Sequence, residues 1–241
     1  SKSQAAQIEV YDANNTKRLP GKLQRKSGDQ ANSDVTVNQA FEGSEAVYDL
    51  YSTVYGRDSI DGNGLSMKST VHYDRKYNNA FWNGEQMVYG DGDGIFFSPL
   101  TGDLTIIGHE LSHGVVQFSG GLNYNAQSGA LNESFADVFG SIIAQHKQGL
   151  STSEASWVVG AKAFTPDIKG DALRSLKAPG TAYDDPIVGK DIQPAHMRDY
   201  NHTSSDNYGV HINSGIPNHA FYLLCQHLGG NSWDKAGHIW Y

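Results

Sequence analysis

The segment His109-Glu110-Leu111-Ser112-His113 carries two imidazoles four residues apart. On a helix each residue advances about 100°, so the two rings lie about 40° apart around the axis and can reach one cation. Glu110, one step along, lies close enough to take a proton from water held by that cation. The chemistry this predicts is that of a zinc hydrolase, with two histidine ligands, a general base and one coordination position left to water. The plain alternative is an amphipathic helix whose histidines happen to fall one turn apart.

A site of this kind needs a third protein ligand. A third histidine six residues after His113 would supply it, preceded by a glycine three residues after His113, but those positions hold Ser119 and Val116. A glutamate on a following helix is the other solution. Beyond Glu110 the chain contains only Glu133 and Glu154. Glu133 lies in a stretch where Leu131, Phe135, Val138, Ile142 and Ile143 recur at intervals of three and four, which predicts a helix from about 128 to 148. Alone, Glu133 reads as a surface carboxylate; beside the first motif it reads as the third zinc ligand. Asp137, four residues on, shares its face and could take the second ring N–H of a ligating histidine.

The elements that must position these groups divide the chain in two. Residues 1–103 read as a β-rich lobe. It has strands near 8–13 and 69–77, one helix at about 37–55, and turns at Pro20-Gly21, Asp61–Gly64 and Asp91–Gly94. Neither aspartate–glycine turn matches an EF-hand loop, because the fifth, sixth and twelfth positions hold the wrong residues. Residues 104–241 read as mainly helical, with helices near 104–118, 128–148, 152–164 and 214–228. The stretch 165–213 reads mostly as loop, a length that in a compact protein often serves function. The predicted class is therefore α+β, with two lobes and the metal helix at their junction, a usual place for a cleft.

Composition narrows the partners. A net charge of −8, spread along the chain, argues against nucleic acid and against anionic membranes. No apolar run approaches the roughly 20 residues that span a bilayer. No apolar leader segment is present in this chain, which leaves a cytoplasmic setting open beside a secreted one. Cys225, the one cysteine, sits in an apolar stretch and reads as a buried thiol.

These motifs resemble, in order along the chain, those of the thermolysin family of zinc metalloendopeptidases, closest to its protealysin-like branch. The matching stretches are Tyr77–Gly84, Gln86–Gly94, Gly108–Gly114, Ser128–Phe139, Thr165-Pro166 with Gly170–Ser175, and Gly209–Gly215. The resemblance implies the thermolysin-like two-lobe fold, with zinc on His109, His113 and Glu133, Glu110 as general base, and Asp137 behind the ligands. It further implies that His211, oriented by Asp206, and Tyr124 stabilise the tetrahedral oxyanion. Asn79, the Ala80 carbonyl and Trp82 would hold an extended peptide, and Arg174 would bond a substrate carbonyl. Phe97, Leu100, Ile106 and Leu173 would form an apolar pocket for a bulky residue after the scissile bond. Protein or peptide substrates, a propeptide and a secreted, zymogen-derived enzyme follow as expectations.

Departures from the family pattern carry expectations of their own. The positions aligned with the family's double calcium cluster hold Thr105, Ala144, Ser156, Val158 and Ala161, none of them acidic. A single Ca2+ around Thr165, Ile168 and Asp171 still matches. Family members continue for several helices past Tyr241, so a catalytically weak or inactive zinc-binding fragment stands as the alternative function. An exopeptidase with the same zinc geometry is the competing enzyme reading.

Overall fold

The computed structural model describes residues 4–241. Five strands build one mixed sheet: β1 (Ile8–Asp12), β2 (Lys22–Lys26), β3 (Met67–Val71), β4 (Ala80–Trp82) and β5 (Met87–Tyr89). Helix α1 (Val35–Tyr55) lies between β2 and β3 in sequence. The spatial order is β2-β1-β3-β5-β4, with β1, β3 and β5 parallel and the two outer strands antiparallel to their neighbours. Met87, Val88 and Tyr89 are all buried, as expected of a strand covered on both faces. β4 is left as an edge, with one row of backbone groups unpaired by the sheet.

From residue 104 the chain is chiefly helical: α2 (Leu104–Gln117), α3 (Ala126–Gln148), α4 (Ser205–Asn213), α5 (Gly215–Leu228) and α6 (Lys235–Trp240). Two short antiparallel pairs, β6 (Val158–Val159) with β7 (Arg174–Ser175) and β8 (Asp184–Asp185) with β9 (Gly189–Lys190), punctuate the long connection. Helix starts follow their caps. Asp34 accepts from the Thr36 amide at the head of α1, and Asp103 from the Thr105 amide at the head of α2. The C-terminal ends of α1 and α3 close on Gly56 and Gly149, both in the left-handed conformation that glycine adopts most cheaply.

One core serves both parts. Val47, Leu50 and Tyr51 of α1 meet Ile107 and Leu111 of α2 and Phe139, Ile142 and Ile143 of α3. The Tyr51 hydroxyl finds Ser112 Oγ at 2.7 Å, so this buried hydroxyl is satisfied. Helices α2 and α3 meet at Gly108 and Gly140. A Cβ on Gly108 would stand 3.0 Å from the Gly140 Cα, and one on Gly140 only 2.6 Å from the Thr105 carbonyl oxygen. The two helices thus touch backbone to backbone, with His109 next to Gly108 on one and Glu133 about two turns before Gly140 on the other.

Two expectations are corrected. No helix forms over 152–164; that stretch is turns and β6. Trp157 takes a positive φ of 56° and its indole donates to the Thr152 carbonyl, so the apolar residues point inward from turns rather than along a helical stripe. The strand expected at 69–77 ends at Val71, because His72, Asp74 and Lys76 all take positive φ.

The kink at His72 has a purpose in the fold. Its Nε2 lies 2.6 Å from Asp34 Oδ2 and its Nδ1 2.8 Å from Asp91 Oδ2, so one imidazole ties the head of α1 to the turn after β5. The hydrogen bond to Asp91 is the main cause that pushes the His72 pKa up to about 9, against partial burial. Asp34 is partly desolvated, yet the same imidazole holds it below its ordinary range. A raised folded pKa contributes stability fully below the unfolded value of roughly 6.5 and loses it as pH rises through the folded value. His72→Gln is therefore expected to lower the thermal midpoint near pH 6 by roughly 2–4 °C, since solvent screening limits such a pair to about 1 kcal/mol. The deficit should close above pH 9. A deficit that is the same at pH 6 and pH 10 would rule out the charged clasp.

Candidate active site

The metal-type residues come from the two helices that touch through glycine. His109 and His113 lie one turn apart on α2 and Glu133 on α3; their ligand atoms all fall within 4.8 Å of one another. His109 Nδ1 faces Asp137 Oδ1 at 2.7 Å, an acceptor, so that nitrogen carries the proton and Nε2 offers its lone pair. His113 Nδ1 faces Asn132 Oδ1 at 2.8 Å. The Asn132 amide donates to the Leu122 carbonyl, which keeps its oxygen towards His113. The two Nε2 atoms are left 3.1 Å apart. Nitrogens that close need a cation between them, a proton on His113 or a metal ion in its place.

Glu133 completes the set. Its carboxylate is buried and both oxygens lack a hydrogen bond of sound geometry, although His113 Nε2 and His211 Nε2 each approach one of them to 2.7 Å. Burial alone would raise this carboxyl, but His109, His113 and His211 together hold it well below the usual range. An ionised carboxylate opposite two imidazole Nε2 atoms is the donor set of a tetrahedral zinc site short of one ligand. The residues fit the ion.

The remaining groups gather round this centre. Glu110 lies with Oε1 3.8 Å from His109 Nε2; burial raises its carboxyl above the ordinary value, with the histidines pulling the other way. His113 and His211 are drawn down by burial, but the Glu133 carboxylate beside them pushes both up to about 9. Tyr124, raised chiefly by burial and next by Glu133, holds its hydroxyl 3.2 Å from His211 Nε2. Asp206 accepts from both the amide and Nδ1 of His211, at 2.8 and 2.6 Å. It does so from a left-handed turn: Asp206, Asn207 and Tyr208 have φ of 56°, 50° and 63°, followed by Gly209 at 80°. Each non-glycine residue there costs roughly 1–2 kcal/mol. The two bonds to His211, and those between Asn201 and Asn213, hold the turn in place.

Beside the metal-type residues lies a cavity of about 570 Å³ whose wall includes Asn79, Ala80, Trp82, Tyr124 and His211. The edge strand β4 forms one side. The Trp82 indole donates to Gln117 Oε1 at 2.8 Å and its ring rests on Gly114, where a Cβ would come within 3.0 Å of it. A second cavity, of about 190 Å³, opens off the first and is lined by Phe97, Leu100, Ile106, Val159 and Leu173, with Arg174 at its wall. Arg174 donates through Nε to Asp137 Oδ2 at 2.7 Å and through Nη2 to Oδ1 at 2.9 Å, so its guanidinium is anchored from behind.

All twelve residues expected to catalyse or to contact substrate thus lie at one centre or in its two cavities, apart from Asp206, which stands behind His211. The three calcium-type residues do not join it. Thr165 donates its hydroxyl to the Ile95 carbonyl, the Ile168 amide donates to the Thr165 carbonyl, and the Asp171 amide donates to the Ala182 carbonyl. Among the described residues the other metal-like group is Asp12, Asp34 and His72, where the imidazole itself is the cation. Sequence reasoning missed Asn132, Gln117 and Asn218. Each is a carboxamide next to, or one helical face from, a recognised residue, a signal too common to stand out alone.

The family model described as "Thermolysin metallopeptidase, catalytic domain" matches residues 1–117, and that described as "Thermolysin metallopeptidase, alpha-helical domain" matches residues 120–241. The chain is 50% identical over 232 residues to an extracellular metalloprotease of Pectobacterium carotovorum subsp. carotovorum, covering 96% of this chain and 67% of that protein. It is 52% identical over 234 residues to the protease PrtS of Photorhabdus sp. (strain Az29), covering 96% of this chain and 63% of that protein. It spans about two thirds of the length of these relatives. The solved structure of the precursor of protealysin, a metalloproteinase from Serratia proteamaculans, superposes with a TM-score of 0.98 at 48% identity, covering all of this chain and 75% of that one.

Proposed function

The chain belongs to the thermolysin family of metallopeptidases, and on that premise we propose that it is a zinc-dependent endopeptidase that cleaves internal peptide bonds before a bulky hydrophobic residue. One observation carries the reading: the ligand atoms of His109, His113 and an ionised Glu133 converge within 4.8 Å of one another, with a second carboxylate, Glu110, beside them.

His109, His113 and Glu133 would hold the zinc. The ion, when bound, supplies Lewis acidity that acidifies water and polarises a carbonyl. Glu110 takes the proton from the attacking water and hands it to the departing amine nitrogen, a role suited to a carboxyl whose pKa burial has raised above its ordinary value. His211 and Tyr124 aim donors at the oxygen on which negative charge develops. Asp206 fixes the His211 ring so that Nε2 points inward. The edge of β4, from Asn79 through the Ala80 carbonyl to Trp82, supports the binding of an extended peptide as an added strand. An edge that lines both cavities, Asn79 and Ala80 in each and Trp82 in the larger, suits internal cleavage better than trimming from an end. Arg174, braced by Asp137, stands where a substrate carbonyl would pass, beside an apolar cavity with room for one aliphatic or aromatic side chain. The extracellular Pectobacterium relative and the precursor form of the Serratia protein support a secreted enzyme released from a propeptide.

The test is cleavage of a series of internally quenched peptides blocked at both ends, with zinc content measured on the same sample. Peptides with Leu, Phe or Ile after the scissile bond should be cut on the amino side of that residue at least about tenfold faster than peptides with Asp or Gly there, since each methylene buried in an apolar pocket is worth on the order of 1 kcal/mol. Turnover only of peptides with a free terminus would replace this reading with an exopeptidase.

A further inference from the structure

Asn218 has no part in the chemistry above, yet it completes the coordination of the carboxylate on which two site residues depend. Asp137 is fully buried and accepts four bonds: from His109 Nδ1 at 2.7 Å and Arg174 Nη2 at 2.9 Å on Oδ1, and from Arg174 Nε at 2.7 Å and Asn218 Nδ2 at 2.9 Å on Oδ2. An ionised carboxylate offers about four acceptor positions, so every one is used. Asn218 comes from α5, is itself fully buried, and accepts the Ser134 hydroxyl on its Oδ1 at 2.7 Å. Ser134 follows Glu133 directly on α3. The amide can face only one way, because turning it would set its oxygen against Asp137 and its NH2 against the Ser134 bond.

The geometry points to Asn218 as a positioning residue, set by Ser134, that locks the rotation of Asp137 so that one carboxylate aims His109 into the metal site and braces Arg174 at the apolar pocket. The consequence is a coupling. The grip on the metal and the grip on the residue after the scissile bond share a single pivot, and loosening that pivot weakens both. This rests on the zinc-peptidase reading proposed above.

The experiment uses the full chain with Asn218→Ala and Ser134→Ala. For each, the zinc dissociation constant is measured by competition with a chromogenic chelator, the thermal midpoint is taken on the metal-free protein, and kcat and KM are measured on a blocked Leu-containing peptide. Partners of metal ligands typically contribute 10- to 100-fold in affinity. Asn218→Ala should weaken zinc about tenfold or more and raise KM on the same peptide, while Ser134→Ala should move both in the same direction by a smaller factor. A residue that only supports the fold would lower the metal-free midpoint and leave the zinc constant within twofold of the parent, and that result in either folded variant overturns the proposal. Ser134→Ala removes one hydroxyl and decides the matter if Asn218→Ala does not fold. A parent protein that binds no zinc would instead overturn the functional reading, which keeps the two failures apart.

Discussion

Glu110→Gln should lower kcat/KM for peptide hydrolysis by about 10,000-fold while the protein still takes up zinc. Glutamine keeps the size and one acceptor oxygen of the side chain but cannot receive a proton. Proton transfer by a placed side chain contributes about 100- to 10,000-fold, and the upper end applies here because Glu110 serves twice, for the water and for the leaving amine. The loss corresponds to roughly 5.5 kcal/mol of barrier. Zinc should be retained because the three converging ligand groups are His109, His113 and Glu133. Metal analysis and kinetics on the same preparation check both halves. An enzyme that keeps even a tenth of its rate, fully loaded, would remove Glu110 from the mechanism. A variant that loses zinc along with activity would make it a ligand instead.

Stripping the metal with a chelator should abolish hydrolysis, with recovery on adding zinc, and the affinity should depend steeply on pH. In the metal-free protein a proton on His113 is the cation that the site can still accept, and the buried Glu133 beside it keeps that proton bound up to about pH 9. Zinc must displace it, so affinity should fall about tenfold for each unit of pH below that value and level off above it. Glu133, held ionised, offers no second proton to lose. Stability should follow with opposite slopes. The raised pKa of His113 stabilises the metal-free fold below roughly pH 6.5, and that contribution fades as pH climbs through about 9. Zinc at a thousandfold excess over its dissociation constant adds about 4 kcal/mol, on the order of 8–16 °C for a chain this long. The gap in thermal midpoint between loaded and stripped protein should therefore widen from pH 6 to pH 9 at fixed free zinc. A gap that narrows would show that His113 is not the group that zinc must deprotonate.

What could be read in advance follows from how local each signal is. His109, His113 and Glu110 lie within one helical turn, and their meaning is carried by spacing alone. Glu133 was legible because so few glutamates follow Glu110. Tyr124, Asp206 and His211 are another matter. Tyr124 sits in a connection and the other two in the short, kinked α4, and only resemblance to a family marks them, since the left-handed turn that brings Asp206 onto His211 leaves no pattern in residue type beyond the glycine at its end. The helix expected at 152–164 fails for a related reason. Apolar residues at helical intervals also arise where turns point inward, and Trp157 in a left-handed conformation has no counterpart in a propensity argument. Asn218 and Ser134 were invisible because their importance lies in what four atoms of Asp137 still needed, and that is known only once His109 and Arg174 are in place.

The glycine contact between α2 and α3 bears on how such a site changes over generations. Where helices meet through side chains, a methyl gained or lost shifts their separation, and anything mounted across the joint moves with it. At Gly108 and Gly140 no side chain is present to lengthen or shorten, and any addition collides with main chain. The spacing between the two histidines and Glu133 is thus shielded from the ordinary drift of core residues. Loops, pockets and surface can wander far while the distance across that joint stays where peptide backbones set it.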